Sequence, residues 1–188
     1  MACDLTTGRI TPCKDSIGGL DAVYFINDSE NLLASTITYN ANGEGITSAT
    51  GSRHAFHYDL KGEQSSFTQT VTSSRDNGTT FYEQVLELTL PNLSLADNKE
   101  LKLLAYGNPQ VIVRDNNGKF WMMGLQFGAD VTGGTTVTGG AMGDLSGYTL
   151  TLTAKEPIMA NLFDDVTEAT LATNVGLIIV KGDGTFVS

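Results

Sequence analysis

Short runs in which apolar and polar residues alternate recur along most of this chain, and such alternation indicates β-strands with one buried face. The strongest pair is QSSFTQTVTSSR (64–75) and TTFYEQVLELTL (79–90), separated by the tripeptide Asp-Asn-Gly. This tripeptide tolerates positive φ angles and commonly joins antiparallel strands. We therefore predict a β-hairpin over residues 64–90.

Alternation in the second strand of this hairpin separates leucines from acids. Leu86, Leu88 and Leu90 fall on one face, because successive side chains of a strand point to opposite sides. Glu83 and Glu87 fall on the other face. We expect the leucines to pack into a core and the two glutamates to face water.

Three further segments carry strand patterns. Hairpins are predicted over residues 111–124, around Asn-Asn-Gly, and over residues 175–188, around Gly-Asp-Gly. Residues 148–153 (YTLTLT) alternate strictly, which predicts a strand with one apolar face and one threonine face.

One segment changes from the strand period to the helical period. Ser94 is suited to cap a helix, and Asp97 stands three residues later. Leu101 and Leu104 then follow at helical spacing, so we predict a helix at about 94–106 and expect no other. The predicted fold class is mainly β: a β-sandwich or partly closed barrel of antiparallel hairpins with this one flanking α-helix.

Three long stretches have no clear period. Residues 1–20 are predicted to form an N-terminal arm, and residues 21–188 a single β-sandwich domain. Within that domain, residues 40–53 and 132–147 are predicted to be long loops rich in glycine, serine and threonine. We expect these segments to order against neighbouring subunits and so to serve assembly.

Composition narrows the range of partners. The 188 residues include 11 Lys and Arg against 21 Asp and Glu, a formal net charge of −10. An acidic surface repels nucleic acid backbones, so specific DNA binding is not expected. The N-terminal sequence has no apolar signal region, and no long apolar run follows, so we expect no membrane partner. We expect a protein that is made and kept in a cytoplasm, or released by a route other than a signal peptide.

Few residues suit metal or redox chemistry. Cys3 and Cys13 are too few for a disulfide framework and are expected to be free thiols. With His54 and His57 they supply zinc ligand types, but their spacing fits no compact finger. Two histidines three residues apart in a strand also point to opposite faces, so neither a metal nor a cofactor is expected.

Catalysis has equally little support. The chain lacks the Gly-x-Ser-x-Gly and phosphate-loop motifs. A paired-carboxylate hydrolase stays open, because Asp59 and Glu63 can approach Glu83 and Glu87 across strands. Solvated strand-face acids are the commoner use of such residues, and we expect a protein that is not an enzyme.

Four segments together resemble the major tail tube protein of tailed bacteriophages. They are MACDLTTGRITPCKDSIGGLDAVYF (1–25), FTQTVTSSRDNGTTFYEQVLELTLP (67–91), RDNNGKFWMMG (114–124) and GAMGDLSGYTLTLTAKEP (140–157). The resemblance implies a β-sandwich with one helix that assembles into stacked hexameric rings, and sheets from neighbouring subunits that join into a channel wall. It implies other tail proteins as partners, DNA that passes through without specific binding, and a place in the virion tail after assembly in the host cytoplasm.

This resemblance gives the acids of the hairpin a role. We predict that Glu83 and Glu87 line the channel, where negative charge keeps phosphates from adhering. Two alternatives stay open: another virion component, such as a head-decoration or collar protein, and a carbohydrate-binding sandwich. The second alternative requires Trp121 to be exposed as a stacking platform.

Overall fold

The computed structural model describes residues 8–9, 14–32, 34–41, 43–61, 63–92, 94–164 and 166–187. These residues are mainly β. The strands are β1 (Leu20–Ile26), β2 (Ile37–Tyr39), β3 (Ile46–Ala49), β4 (Arg53–Asp59), β5 (Ser66–Ser74), β6 (Thr79–Pro91), β7 (Gln110–Asp115), β8 (Phe120–Met123), β9 (Asp130–Val137), β10 (Gly147–Glu156), β11 (Asn161–Leu162), β12 (Leu177–Val180) and β13 (Phe186–Val187), and the α-helices are α1 (Leu95–Leu104) and α2 (Glu168–Val175).

The strands form two large sheets and one small one. One sheet has seven strands in the order β11-β8-β7-β1-β4-β12-β13, and another has four in the order β5-β6-β10-β9. Strands β2 and β3 form a separate pair. Strand β12 runs parallel to β4, whereas the other paired strands are antiparallel.

Two hydrophobic cores divide the molecule into layers. Strand β1 is buried on both sides, because its alternate residues enter different cores. Val23 packs with Leu86 between the two large sheets. Tyr24 packs with Leu171 on the other side, where α2 and the β2–β3 pair cover the seven-stranded sheet. The predicted β-sandwich is confirmed, with an additional layer outside it.

The predicted flanking helix is confirmed as α1. Its N-cap is Ser94, whose Oγ accepts a hydrogen bond from the backbone N–H of Asp97 at 3.0 Å. Leu101 is buried, and Leu104 packs against the core between the two large sheets. This helix therefore closes one side of the sandwich.

The expectation of a single helix is wrong, because α2 is a second one. Thr167 and Thr170 form a capping box at its start, and Gly176 ends it with a φ of 65°. Leu171 and Val175 are buried on its inner side. A helix of eight residues is marginal in isolation, and burial of this apolar side stabilises it.

Both predicted loops contain strands. Within residues 40–53, Ile46–Ala49 forms β3 and Arg53 begins β4. Within residues 132–147, β9 continues to Val137, so irregular structure is confined to 138–146. Glycine and threonine hide the strand period in β9, and pairing with β10 supplies the order that apolar alternation does not.

Candidate functional surface

The outward face of the four-stranded sheet is covered mostly by hydroxyl groups. Gln84, Leu86 and Leu88 of β6 point inward and are buried, so the residues between them point outward. Directly opposite residues on paired strands point to the same side, which extends this assignment across the sheet. We call this surface the hydroxyl face: Ser66, Thr68, Thr70, Thr72 and Ser74 of β5, Phe81, Glu83, Val85, Glu87 and Thr89 of β6, Thr149, Thr151, Thr153 and Lys155 of β10, and Asp130, Thr132 and Thr135 of β9.

Hydroxyl groups of neighbouring strands bond to one another across this face. The Oγ1 atoms of Thr135 and Thr149 lie 2.6 Å apart, and those of Thr132 and Thr153 lie 3.0 Å apart. Such cross-strand pairs stabilise the sheet. They also occupy hydroxyl protons that would otherwise bind a polar ligand.

The hydroxyl face carries a small net negative charge. Lys155 Nζ lies 3.5 Å from Glu83 Oε1 and 6.0 Å from the centre of the Phe81 ring. Glu87 is exposed, and its Oε2 accepts a hydrogen bond from Ser66 Oγ at 3.5 Å. Asp130 lies directly opposite Thr153, so one lysine and three acids give this face 1 − 3 = −2, counted over the residues named above.

The predicted placement of Glu83 and Glu87 on one face, opposite Leu86 and Leu88, is confirmed. The sequence alone did not reveal that Lys155 pairs with Glu83. Lys155 is spaced by two residues from the last of the outward threonines of β10, so its place on the hydroxyl face could have been predicted from the sequence. Its contact with Glu83 depends on the strand register, which the pattern does not give.

Two long edges border this sheet. In the described part of the chain, β5 pairs with β6 alone, and β9 pairs with β10 alone. Neither edge strand contains the proline or lysine that commonly blocks an edge, although β9 has a bulge opposite Thr151–Leu152. Both strands therefore present free backbone hydrogen-bonding groups along eight or nine residues.

Exposed apolar side chains flank both edges. Beside β9, a shallow groove of about 370 Å³ separates the strand from α1, and Leu101, Lys102 and Ala105 line it on the helix side. Tyr106, which follows Ala105, is 81% exposed. Beside β5, the backbone N–H of Ala160 donates to Gln69 Oε1 at 2.7 Å. The preceding residue, Met159, is 54% exposed. Each edge thus has an apolar surface next to it.

The two histidines point to opposite faces of β4, as predicted. His54 is exposed and pairs with Glu30. His57 is mostly buried beside Tyr24, and this burial lowers the pKa of its imidazole. Cys3 and Cys13 lie outside the described residues. Among the residues that are described, no group of three His, Cys, Asp or Glu side chains is arranged for a metal ion.

The alternative sites find little support in the geometry. Trp121 is half-buried and packs beside Phe67 against the core between the large sheets, so it offers no open stacking platform. Asp59 belongs to β4 of the other sheet, and its Oδ1 lies 3.5 Å from His57 Nε2. It therefore contacts the histidine rather than the acids of the hydroxyl face.

Comparison of the chain with protein-family models, with curated proteins and with solved structures gave no match. In the described part of the chain, neither helix is long and apolar enough to cross a membrane. Function must therefore be inferred from the surface of the molecule.

Proposed function

We propose that this chain is a structural virion protein of the tail-tube type, without enzymatic activity, that assembles into stacked hexameric rings around a channel for the genome. The observation that carries the proposal is the four-stranded sheet, which combines two long unpaired edges with a hydroxylated, weakly acidic face. Unprotected edges of this length are avoided in proteins that stay monomeric.

Strand direction favours ring closure. Each of the three pairings from β5 through β6 and β10 to β9 is antiparallel, so β5 and β9 run in opposite directions. In a ring whose copies are related by rotation, β9 of one copy meets β5 of the next in an antiparallel arrangement. This head-to-tail contact closes without leaving a free edge.

The size of the sheet fits a channel. Six copies of the 4 strands give 24. At about 4.8 Å between strands, their circumference is about 115 Å and their diameter about 37 Å, and strand tilt widens it further. Side chains narrow this opening, yet enough width is left for a DNA duplex.

The hydroxyl face is suited to the inside of that channel. Its one lysine pairs with Glu83, and each ring of six copies carries about twelve net negative charges on this face. DNA then passes without specific binding.

The apolar flanks explain why edge pairing is specific to copies of this chain. When β9 of one copy pairs with β5 of the next, the flank with Tyr106 comes to the side that carries Met159. Burying these side chains adds apolar contact to the backbone hydrogen bonds. It also covers surface that is otherwise exposed to water.

Sedimentation velocity and negative-stain imaging of the purified protein test this assembly. We expect rings or tubes for the wild type, and loss of both for Tyr106→Asp and Met159→Asp with unchanged circular dichroism. Phe186→Asp is the matched control, because Phe186 is 66% exposed but lies on β13 of the other sheet. A wild type that stays monomeric, or flank variants that assemble as the control does, would contradict the proposal.

DNA binding tests the orientation of the hydroxyl face. Glu83→Gln frees Lys155, so assembled tubes of this variant should retain duplex DNA at low salt, while wild-type tubes do not. The double variant Glu83→Gln with Lys155→Gln should release it again. Equal DNA retention by all three assemblies would place this face away from the channel.

A further inference from the structure

Two Asn-Gly pairs occupy turns of this chain. Asn77 and Gly78 lie between β5 and β6, and Asn117 and Gly118 lie between β7 and β8. Both asparagines are exposed, and both glycines have positive φ angles, of 62° and 75°. A glycine after asparagine leaves its backbone nitrogen unshielded, which favours attack of that nitrogen on the side-chain amide.

The two asparagine side chains are held very differently. Asn117 Oδ1 accepts a hydrogen bond from the backbone N–H of Ile17 at 2.9 Å, and its Nδ2 donates to the carbonyl oxygen of Ile17 at 2.7 Å. Within the described residues, the side-chain amide of Asn77 makes no hydrogen bond, and only its backbone N–H donates to Ser74 Oγ, at 3.3 Å. Asn77 is thus free to rotate toward the next residue.

The backbone around Asn77 is also easier to rearrange. Strand β10 pairs with β6 only as far as Tyr82, so the hairpin tip extends past the third strand of the sheet. The backbone N–H of Gly78 lies 3.4 Å from the carbonyl oxygen of Arg75. The corresponding distance from Gly118 to Asp115 is 3.0 Å, and Asp115 Oδ1 accepts two more backbone hydrogen bonds there.

We propose that Asn77 is a site of spontaneous deamidation and that the fold protects Asn117 from the same reaction. The backbone nitrogen of Gly78 gives its proton to a base in solution and forms a bond to Cγ of Asn77. The bond from Cγ to Nδ2 breaks, and ammonia leaves after taking a proton from solvent. Water then opens the cyclic imide, so the net reaction consumes one water, releases one ammonia and changes no oxidation state.

The product alters the hairpin tip in two ways. Opening at one carbonyl gives aspartate, and opening at the other gives isoaspartate, which adds a methylene group to the backbone. Either product carries a new carboxylate beside Arg75 and Asp76, whose charges otherwise sum to 1 − 1 = 0. The tip therefore acquires one negative charge with age.

Peptide mapping by mass spectrometry tests the proposal on the folded protein held in mildly alkaline buffer. Trypsin places the two sites in different peptides, 76–99 and 115–119, and fragmentation locates the modified residue. The two side-chain hydrogen bonds of Asn117 must break before it reacts, so we expect Asn77 to deamidate at least about tenfold faster. Asn77→Gln, which extends the side chain by one methylene, should abolish the signal from the first site.

Unfolding the chain in urea provides the control, because both Asn-Gly pairs then lose their tertiary contacts. The two rates should converge there if the fold causes the difference. Equal rates in the folded protein, or faster reaction of Asn117, would overturn the proposal. A rate ratio in urea equal to that of the folded protein would also overturn it, since the local sequence would then be the cause.

Discussion

Glu156 offers the sharpest test of how this sandwich is held together. It is only 1% exposed, and its Oε1 accepts hydrogen bonds from the backbone N–H groups of Gln126 and Phe127 at 3.0 and 2.8 Å. Its Oε2 has no hydrogen-bond partner among the described residues. The carboxylate thus fixes the turn between β8 and β9 at the cost of burying a charged group.

Two substitutions separate these effects. Glu156→Leu leaves two backbone N–H groups without their acceptor, which costs about 1 kcal/mol each, or about 2 kcal/mol in all. For a chain of this length the Tm should fall by about 4 to 8 °C. Glu156→Gln keeps an acceptor oxygen and removes the buried charge. We therefore expect its free energy of unfolding to lie within about 1 kcal/mol of the wild-type value at neutral pH.

The pH dependence gives the direction of the charge effect. Burial raises the pKa of Glu156, and the N–H groups of Phe127 and Gln126 oppose that rise only in part. Because the pKa is higher in the folded state, the protonated side chain of Glu156 contributes its full stabilisation below the ordinary pKa of about 4.3. This contribution to the free energy of unfolding is lost as pH rises through the raised pKa. The stability of Glu156→Gln relative to the wild type should therefore increase as pH rises.

Urea unfolding followed by far-UV circular dichroism at several pH values measures this difference. Glu87→Gln is the matched control, because Glu87 is exposed on the neighbouring strand of the same sheet. The reasoning is refuted if Glu156→Gln and Glu87→Gln give the same pH profile, or if Glu156→Leu is as stable as Glu156→Gln.

Three further predictions concern the fold. A Cβ at Gly176 would overlap the carbonyl oxygen of Gly51 at a φ of 65°, so Gly176→Ala should cost more than about 2 kcal/mol in urea unfolding, against about 1 kcal/mol for the open Gly78→Ala. Thr167→Ala removes the cap of α2 and should cost about 1 kcal/mol in thermal unfolding. Burial lowers the pKa of His57, so the free energy of unfolding should decrease as pH is lowered below about 6.5. The urea midpoint of His57→Gln should decrease less than that of the wild type over the same pH range.

Strictly periodic segments were predictable from the sequence. Residues 86–90 of the hairpin and the strand YTLTLT have apolar residues at every second position, and Leu86, Leu88, Tyr148 and Leu152 are buried as the pattern requires. Ser94 and Asp97 likewise marked the start of α1. Local chemistry was sufficient in each of these cases because it agrees with the tertiary packing.

Other features depend on contacts that the sequence does not encode locally. Strand β9 contains Gly133 and Gly134 and relies on β10 for order, so its pattern suggested a loop. Helix α2 has only eight residues and gains its stability from burial of Leu171, Ala172 and Val175. Glu156 stands at the end of a strand before a proline, where an acid normally faces water, and only the turn over it reveals that it is buried.

The central claim is that copies of this chain join through β5 and β9 into a ring whose inner wall is the hydroxyl face. Electron cryo-microscopy of the assembled wild-type protein tests it most directly. We predict six copies per ring, β9 of each copy hydrogen-bonded to β5 of the next, and Glu87 and the threonines of β10 facing the channel. Rings in which the four-stranded sheet faces outward, or in which β5 and β9 have no intersubunit partner, would contradict the account.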